Sequence, residues 1–317
     1  MPDPAIIIQG VDKWFGQTRA VKALDLTVPA GSLCGFLGPN GAGKSTTIRM
    51  IMSIIYPDAG SIRVLGGSAL NSKDRIGYLP EERGVYRKMR VGEFLEYMAR
   101  LKGCPRQGLS ARIDAWLERI ELPEVRRQRC EELSKGMQQK IQFLAAIIHD
   151  PELLILDEPF SGLDPVNVQL LTELIREQHD HGKTVIFSTH ILHQAEQLCD
   201  RIFLIHKGEK LLDATLEEIR QQFNPRTILA EPMNGTTDLL TVPDVQSVRK
   251  LDDTASFEIE LREGANPQEV MRRVFDAGPM RSVELRQLTL SEVFVRMVQE
   301  DAGPAAADEV REELEHV

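Results

Sequence analysis

Residues Gly38, Pro39, Asn40, Gly41, Ala42, Gly43, Lys44, Ser45 and Thr46 fit the pattern G-x-x-x-x-G-K-[ST]. Glycines at this spacing let the main chain wrap phosphate oxygens without side-chain clash. The loop N–H groups and the start of the following helix supply positive potential. Lys44 reaches the outer phosphates as a point charge, and Ser45 offers a hydroxyl to Mg2+. A second cluster, Leu153-Leu154-Ile155-Leu156-Asp157-Glu158, is an apolar run ending in two carboxylates. Adjacent acids with different neighbours divide into a metal ligand, Asp157, and a proton acceptor for an attacking water, Glu158. Alone, the first pattern is open to reading as a glycine-rich turn and the second as a strand ending in water. Together they point to cleavage of a nucleoside triphosphate with Mg2+.

These groups need a scaffold that presents them from strand ends. Leu33–Leu37 reads as a short buried strand running straight into the glycine loop. From Lys44 the apolar residues Ile48, Ile51, Met52 and Ile55 repeat on one helical face. Strands are expected at Ile6–Ile8, Ala23–Val28, Ser61–Leu65, Arg75–Leu79, Leu153–Leu156 and Thr184–Ser188. Between about Gly84 and Glu132 the composition turns helical and charged, with apolar faces over Val91–Leu101 and Leu109–Ile120. Further helices are expected at Gly136–His149 and Val168–His181. The α/β alternation implies a mostly parallel sheet covered by helices. A smaller α+β module begins near Asn224-Pro225, with strands at Thr227–Ala230, Ala255–Leu261 and Ser282–Gln287. Its helices are expected at Pro267–Ala277 and Leu290–Gln299. The tail from Asp301 is rich in alanine and glutamate and reads as a solvated helix or disorder.

Composition narrows the function classes. The chain has 317 residues, 42% of them hydrophobic, enough for a large domain and a small one. A net charge of −10 argues against a general nucleic-acid binder. No run approaches the ~20 apolar residues of a membrane span, and the start Met1-Pro2-Asp3-Pro4 reads as no secretory leader. The four cysteines are scattered without C-x-x-C spacing, which suits reduced thiols. His179 and His181 read as a polar helix end, and Arg126-Arg127-Gln128-Arg129 as a solvated face.

Further segments carry a resemblance. Leu133-Ser134-Lys135-Gly136-Met137, upstream of the acidic strand, resembles the signature sequence of ABC ATPases. Ser161-Gly162-Leu163-Asp164 resembles their D-loop, His190 in Phe187-Ser188-Thr189-His190 their switch histidine, and Phe15 their adenine-stacking aromatic. Order and spacing agree over roughly residues 5–220. Two departures stand out. Glu81 occupies the place of the expected glutamine, where it can bind metal but cannot donate as an amide does. Lys135 and Met137 replace a glycine and a glutamine of the signature. The Pro80-Glu81-Glu82-Arg83 variant and the small C-terminal module resemble the sodium-export-like branch of ABC-2-type exporters.

The resemblance implies an α/β fold: a P-loop NTPase (RecA-like) core with an antiparallel β subdomain and an inserted helical subdomain, then a C-terminal α+β module. The implied division is 1–223, with the helical part at about 84–135, then 224–300, with a tail at 301–317. It implies ATP and Mg2+ as cofactors, with Ser45, Asp157 and Glu81 toward the metal. It also implies a head-to-tail homodimer, each ATP lying between Gly38–Thr46 of one copy and Ser134 and Gly136 of the other. Glu158 would activate water, His190 would contact the γ-phosphate and Asp164 would couple the two sites. The partner would be an integral-membrane permease that holds the chain on the cytoplasmic face of the cell membrane and contacts Glu81–Phe94. There Val85, Tyr86 and Met89 are either core or contact surface. Two other functions compete: a soluble ABC ATPase acting on ribosomes or DNA, and a small-molecule kinase. The single phosphate loop, the acidic balance and the absence of a long heptad run disfavour the first. The segments Leu133–Gly136 and Ser161–Asp164 disfavour the second.

Overall fold

The computed structural model describes residues 3–82, 84–223, 227–233, 239–251, 255–286 and 288–315. In chain order its elements begin β1 Ile6–Phe15, β2 Thr18–Val28, β3 Leu33–Leu37, α1 Lys44–Ile51, β4 Ala59–Val64 and β5 Ile76–Leu79. There follow α2 Val91–Leu101, α3 Leu109–Arg119, α4 Lys135–Ile147, β6 Leu153–Asp157, α5 Pro165–Asp180 and β7 Thr184–Thr189. Next come α6 Leu192–Leu198, β8 Arg201–His206, β9 Glu209–Thr215 and α7 Leu216–Gln222. The remainder is β10 Thr227–Pro232, β11 Val245–Lys250, β12 Phe257–Leu261, α8 Pro267–Asp276, β13 Met280–Leu285, α9 Leu290–Ala302 and α10 Pro304–Glu315.

The central sheet has the order β5-β6-β7-β3-β8-β9. Its first five strands run parallel and β9 pairs antiparallel with β8 at the edge. Every residue of β3 and β6 is buried, which is why both read as unbroken apolar runs. A second sheet, β2-β1-β4, is antiparallel throughout. Ile6, Ile8 and Val28 from it share one core with Phe36, Ile48, Ile155, Ile186 and Phe203. The parallel strands all end on the same edge of the sheet, so the turns after β3, β6 and β7 gather there.

Between residues 84 and 135 lie α2 and α3, linked by short 3-10 turns to α4. Val91, Phe94, Leu95 and Ala99 form the buried face of α2. In α4 all residues from Gln139 to Ile147 are buried, polar ones included. Gln139 Nε2 donates to Pro159 O at 2.9 Å and Lys140 Nζ to Ile120 O at 2.9 Å, while Gln142 Oε1 is buried without a protein partner.

By packing, the chain divides into Met1–Leu216 with Phe294–Val317, and Glu217–Val293. Asn224-Pro225, the expected boundary, lies outside the described residues. The smaller unit is an antiparallel sheet, β11-β12-β10-β13, whose core joins Ile228, Ile259 and Leu261 to Val270 and Val274 of α8. The division falls inside α9, where Phe294 and Val298 are fully buried. The tail forms the helix α10, in which Ala307 and Val310 are buried and Pro304, Ala305, Asp308 and Arg311 are exposed. No described helix is long and apolar enough to cross a membrane.

Candidate nucleotide site

Two glycines fix the loop between β3 and α1. A Cβ on Gly38 would lie 2.1 Å from the Ile205 carbonyl oxygen, inside any contact a side chain tolerates. Gly43 has φ 106°, and a Cβ there would meet Ala20 O at 2.7 Å. The loop leans on the turn after β8, where the Gly208 N–H donates to Ala42 O at 2.9 Å. Among the described residues, the N–H groups of Gly41, Gly43, Lys44 and Ser45 find no backbone acceptor. A row of free donors at a helix start is an anion cradle.

Lys44 is 5% exposed, and its ammonium donates to Gly38 O at 2.7 Å and Pro39 O at 3.2 Å. It lies 3.7 Å from Glu158 Oε1. Burial pushes its pKa down, and the charges of Glu158, Asp157 and Glu81 pull it back. Ser45 Oγ donates to Asp157 Oδ1 at 3.2 Å. Asp157 is 1% exposed, and burial raises its pKa while the hydrogen bond from Ser188 lowers it. Its Oδ2 is buried with no protein partner. An orphaned carboxylate oxygen beside a serine hydroxyl suits a hard divalent cation that keeps most of its water.

Glu158 has φ 49°, a left-handed backbone costing a non-glycine residue about 1–2 kcal/mol. The turn is held by the Glu158 N–H, which donates to Ser188 Oγ at 3.1 Å and Ser188 O at 3.2 Å. Phe160 just beyond packs edge-on against Phe187, ring centroids 5.8 Å apart. The carboxylate thus faces the loop, and His190 Nδ1 lies 3.0 Å from Glu158 Oε1.

The structure therefore brings together Lys44, Ser45, Asp157, Glu158 and His190. Glu81 is exposed, and its charge acts on both Lys44 and Asp157. No group of three His, Cys, Asp or Glu residues placed to hold a metal ion is found among the described residues. Phe15 stands 52% exposed at the end of β1. Ser134 is exposed and caps α4, its Oγ accepting from the Met137 N–H at 3.3 Å. Asp164 caps α5, accepting from the Asn167 N–H at 3.0 Å, a bond that holds its pKa below the usual carboxylate value. Gly136 faces Leu163 and Asn167, so the two segments form one surface. Among the described residues no hydrogen bond or ion pair joins Ser134, Gly136 or Asp164 to the buried cluster. Sequence reasoning missed Ser188 and Gln139, which hold the turn around Glu158. Neither stands out from its neighbours, since β7 also holds Thr184 and Thr189 and α4 also holds Gln138, Lys140 and Gln142.

A family profile described as "ABC transporter" matches residues 21–161. A second, "ATP-binding protein DrrA1-3-like, C-terminal domain", matches residues 215–298. The chain is 38% identical over 295 residues to the ABC transporter ATP-binding protein YhaQ of Bacillus subtilis, covering 92% of this chain and 98% of that one. It is 31% identical over 325 residues to the daunorubicin/doxorubicin resistance ATP-binding protein DrrA of Streptomyces peucetius, covering 98% of each. A solved structure described as an ATP binding subunit of an ABC transporter superposes with a TM-score of 0.65 at 30% identity, covering 69% of this chain and 93% of that one.

Proposed function

The chain belongs to the ABC transporter ATP-binding family, and from that premise we propose that it is the ATP-hydrolysing subunit of an ABC-2-type exporter whose channel is a separate membrane permease. The observation that carries the reading is the convergence of Lys44, Ser45, Asp157, Glu158 and His190 at one edge of the parallel sheet. The matches to resistance and export subunits support the export direction.

In this reading the N–H groups of the loop and Lys44 bind the phosphates. Phosphate oxygens replace the loop carbonyls as partners of the ammonium. Mg2+ would be held by Ser45 Oγ and Asp157 Oδ2, and it supplies positive charge against the phosphates. Glu158 orients a water and takes its proton, and His190 holds the Glu158 carboxylate through the 3.0 Å contact. Most of the rate comes from positioning and electrostatics. Glu81, at the site's edge and within electrostatic reach of Lys44 and Asp157, would offer a further oxygen to the ion or its water. Phe15 offers a ring for the adenine.

Ser134 and Gly136 are exposed or half-exposed and unlinked to their own chain's cluster, which supports a second copy closing over the nucleotide. A homodimer on the cytoplasmic membrane face, docked on its permease, follows. The test is purification of the full chain with and without a co-expressed multi-spanning membrane protein of the ABC-2 permease type. Mg2+-dependent ATP hydrolysis and co-purification are expected. A chain that binds no ATP, or never associates with a membrane protein, would overturn the reading.

A further inference from the structure

Ser188 is the penultimate residue of β7 and is fully buried. Its hydroxyl donates to Asp157 Oδ1 at 2.5 Å and accepts from the Glu158 N–H at 3.1 Å. A serine hydroxyl has one proton and two lone pairs, so both bonds are satisfied at once in this sense only. One side chain therefore touches both acids, from a strand adjacent to the one that carries them.

The consequence for Asp157 is asymmetry. Both of its hydroxyl donors, Ser45 and Ser188, fall on Oδ1, while Oδ2 is left buried with no protein partner. The oxygens of a free carboxylate are equivalent. Here two donors on one of them fix the plane of the group and decide which oxygen stays available. For Glu158 the same hydroxyl is an acceptor that steadies a main chain at φ 49°.

We propose that Ser188 is a positioning residue that turns Asp157 so that Oδ2 meets the divalent cation and locks the Glu158 backbone beside it. The proposal rests on the reading that this chain binds a nucleotide with Mg2+ through Asp157. It assigns Ser188 no contact with nucleotide, metal or water.

The experiment is calorimetric titration of ATP into the full-length chain, with Mg2+ and separately with EDTA, for wild type, Ser188→Ala and Ser188→Thr. Wild type is expected to bind more tightly with Mg2+. Ser188→Ala is expected to keep its EDTA affinity and to lose roughly tenfold of the Mg2+ gain, the scale of a hydrogen bond to a charged group. Ser188→Thr, which keeps the hydroxyl, is expected to restore that gain. A full Mg2+ gain in Ser188→Ala overturns the proposal, as does an equal loss in both media, which marks a merely structural role. Should Ser188→Ala not fold, Ser188→Cys, with its weak donor, is read in the same way. Wild type without any Mg2+ gain removes the underlying reading and the proposal with it.

Discussion

The Lys44 ammonium lies 3.7 Å from Glu158 Oε1, although the two residues stand on different turns of the sheet edge. His190 Nδ1 shares that oxygen at 3.0 Å. The acid is thus held between two nitrogens, one of which phosphate groups would draw away. Replacing Glu158 by Gln keeps the shape and removes the base. The expected result is ATP binding close to wild type with turnover lower by about 10^2-fold or more, the usual weight of a general base. Equilibrium binding and single-turnover hydrolysis check it, and undiminished turnover would take the role from Glu158.

Ser134 serves two purposes that substitutions can separate. As the cap of α4 its hydroxyl accepts from the Met137 N–H. Ser134→Ala should cost about 1 kcal/mol of stability. Ser134→Asp restores a good cap but sets a carboxylate where a partner's phosphate is expected. Urea unfolding should find Ser134→Asp as stable as wild type, while its ATPase activity is lost. Full activity in Ser134→Asp would place the phosphate elsewhere.

His149 makes stability depend on pH. Its Nε2 lies 3.2 Å from Ile76 O, its Nδ1 is buried without a partner, and burial pushes its pKa from 6.5 down to about 4. Between those values the unfolded chain binds the proton that the folded chain refuses. Stability is therefore full above the unfolded value and falls as pH drops through the window, by on the order of 2–3 kcal/mol. Urea midpoints at about pH 7.5 and about pH 5 should differ less in His149→Gln than in wild type. Equal differences would assign the pH dependence to other groups.

The segment expected to meet the permease divides residue by residue. Val85 is 8% exposed and belongs to the core, while Tyr86 is 51% exposed. The Tyr86 ring stands edge-on to Phe94 at 6.0 Å and to Tyr97 at 5.6 Å, forming an aromatic ledge on α2. Tyr86→Asp should leave the ATPase activity of the isolated chain unchanged, since it is a surface substitution, and should abolish stimulation by the membrane protein. Co-purification at wild-type yield would count against the ledge.

Much of the central fold was legible because its signals are local. The strands Leu33–Leu37 and Leu153–Asp157 are buried on both faces, so they appear as apolar runs, and the chemistry sits at their ends. The helix at Val91–Leu101 was read with its observed limits, because an amphipathic face repeats over its whole length. The strands Arg201–His206 and Glu209–Thr215 went unread. The second is an edge strand with mixed burial, and its pairing to β8 is a tertiary fact. Val245–Lys250 was missed for the same reason: one buried residue in six leaves no alternation to see. Ser188 escaped because its role depends on two residues about thirty positions away. Among the described side chains of α10 only Ala307 and Val310 are buried, too few apolar residues to mark a packed helix in advance.

The chain leaves its larger unit after Leu216 and re-enters it at Phe294. Along the chain the smaller unit is therefore an interruption rather than an appendage, joined to the larger one at both of its ends. Such an arrangement can be excised or exchanged for another module by splicing two sites, with no dangling end left behind.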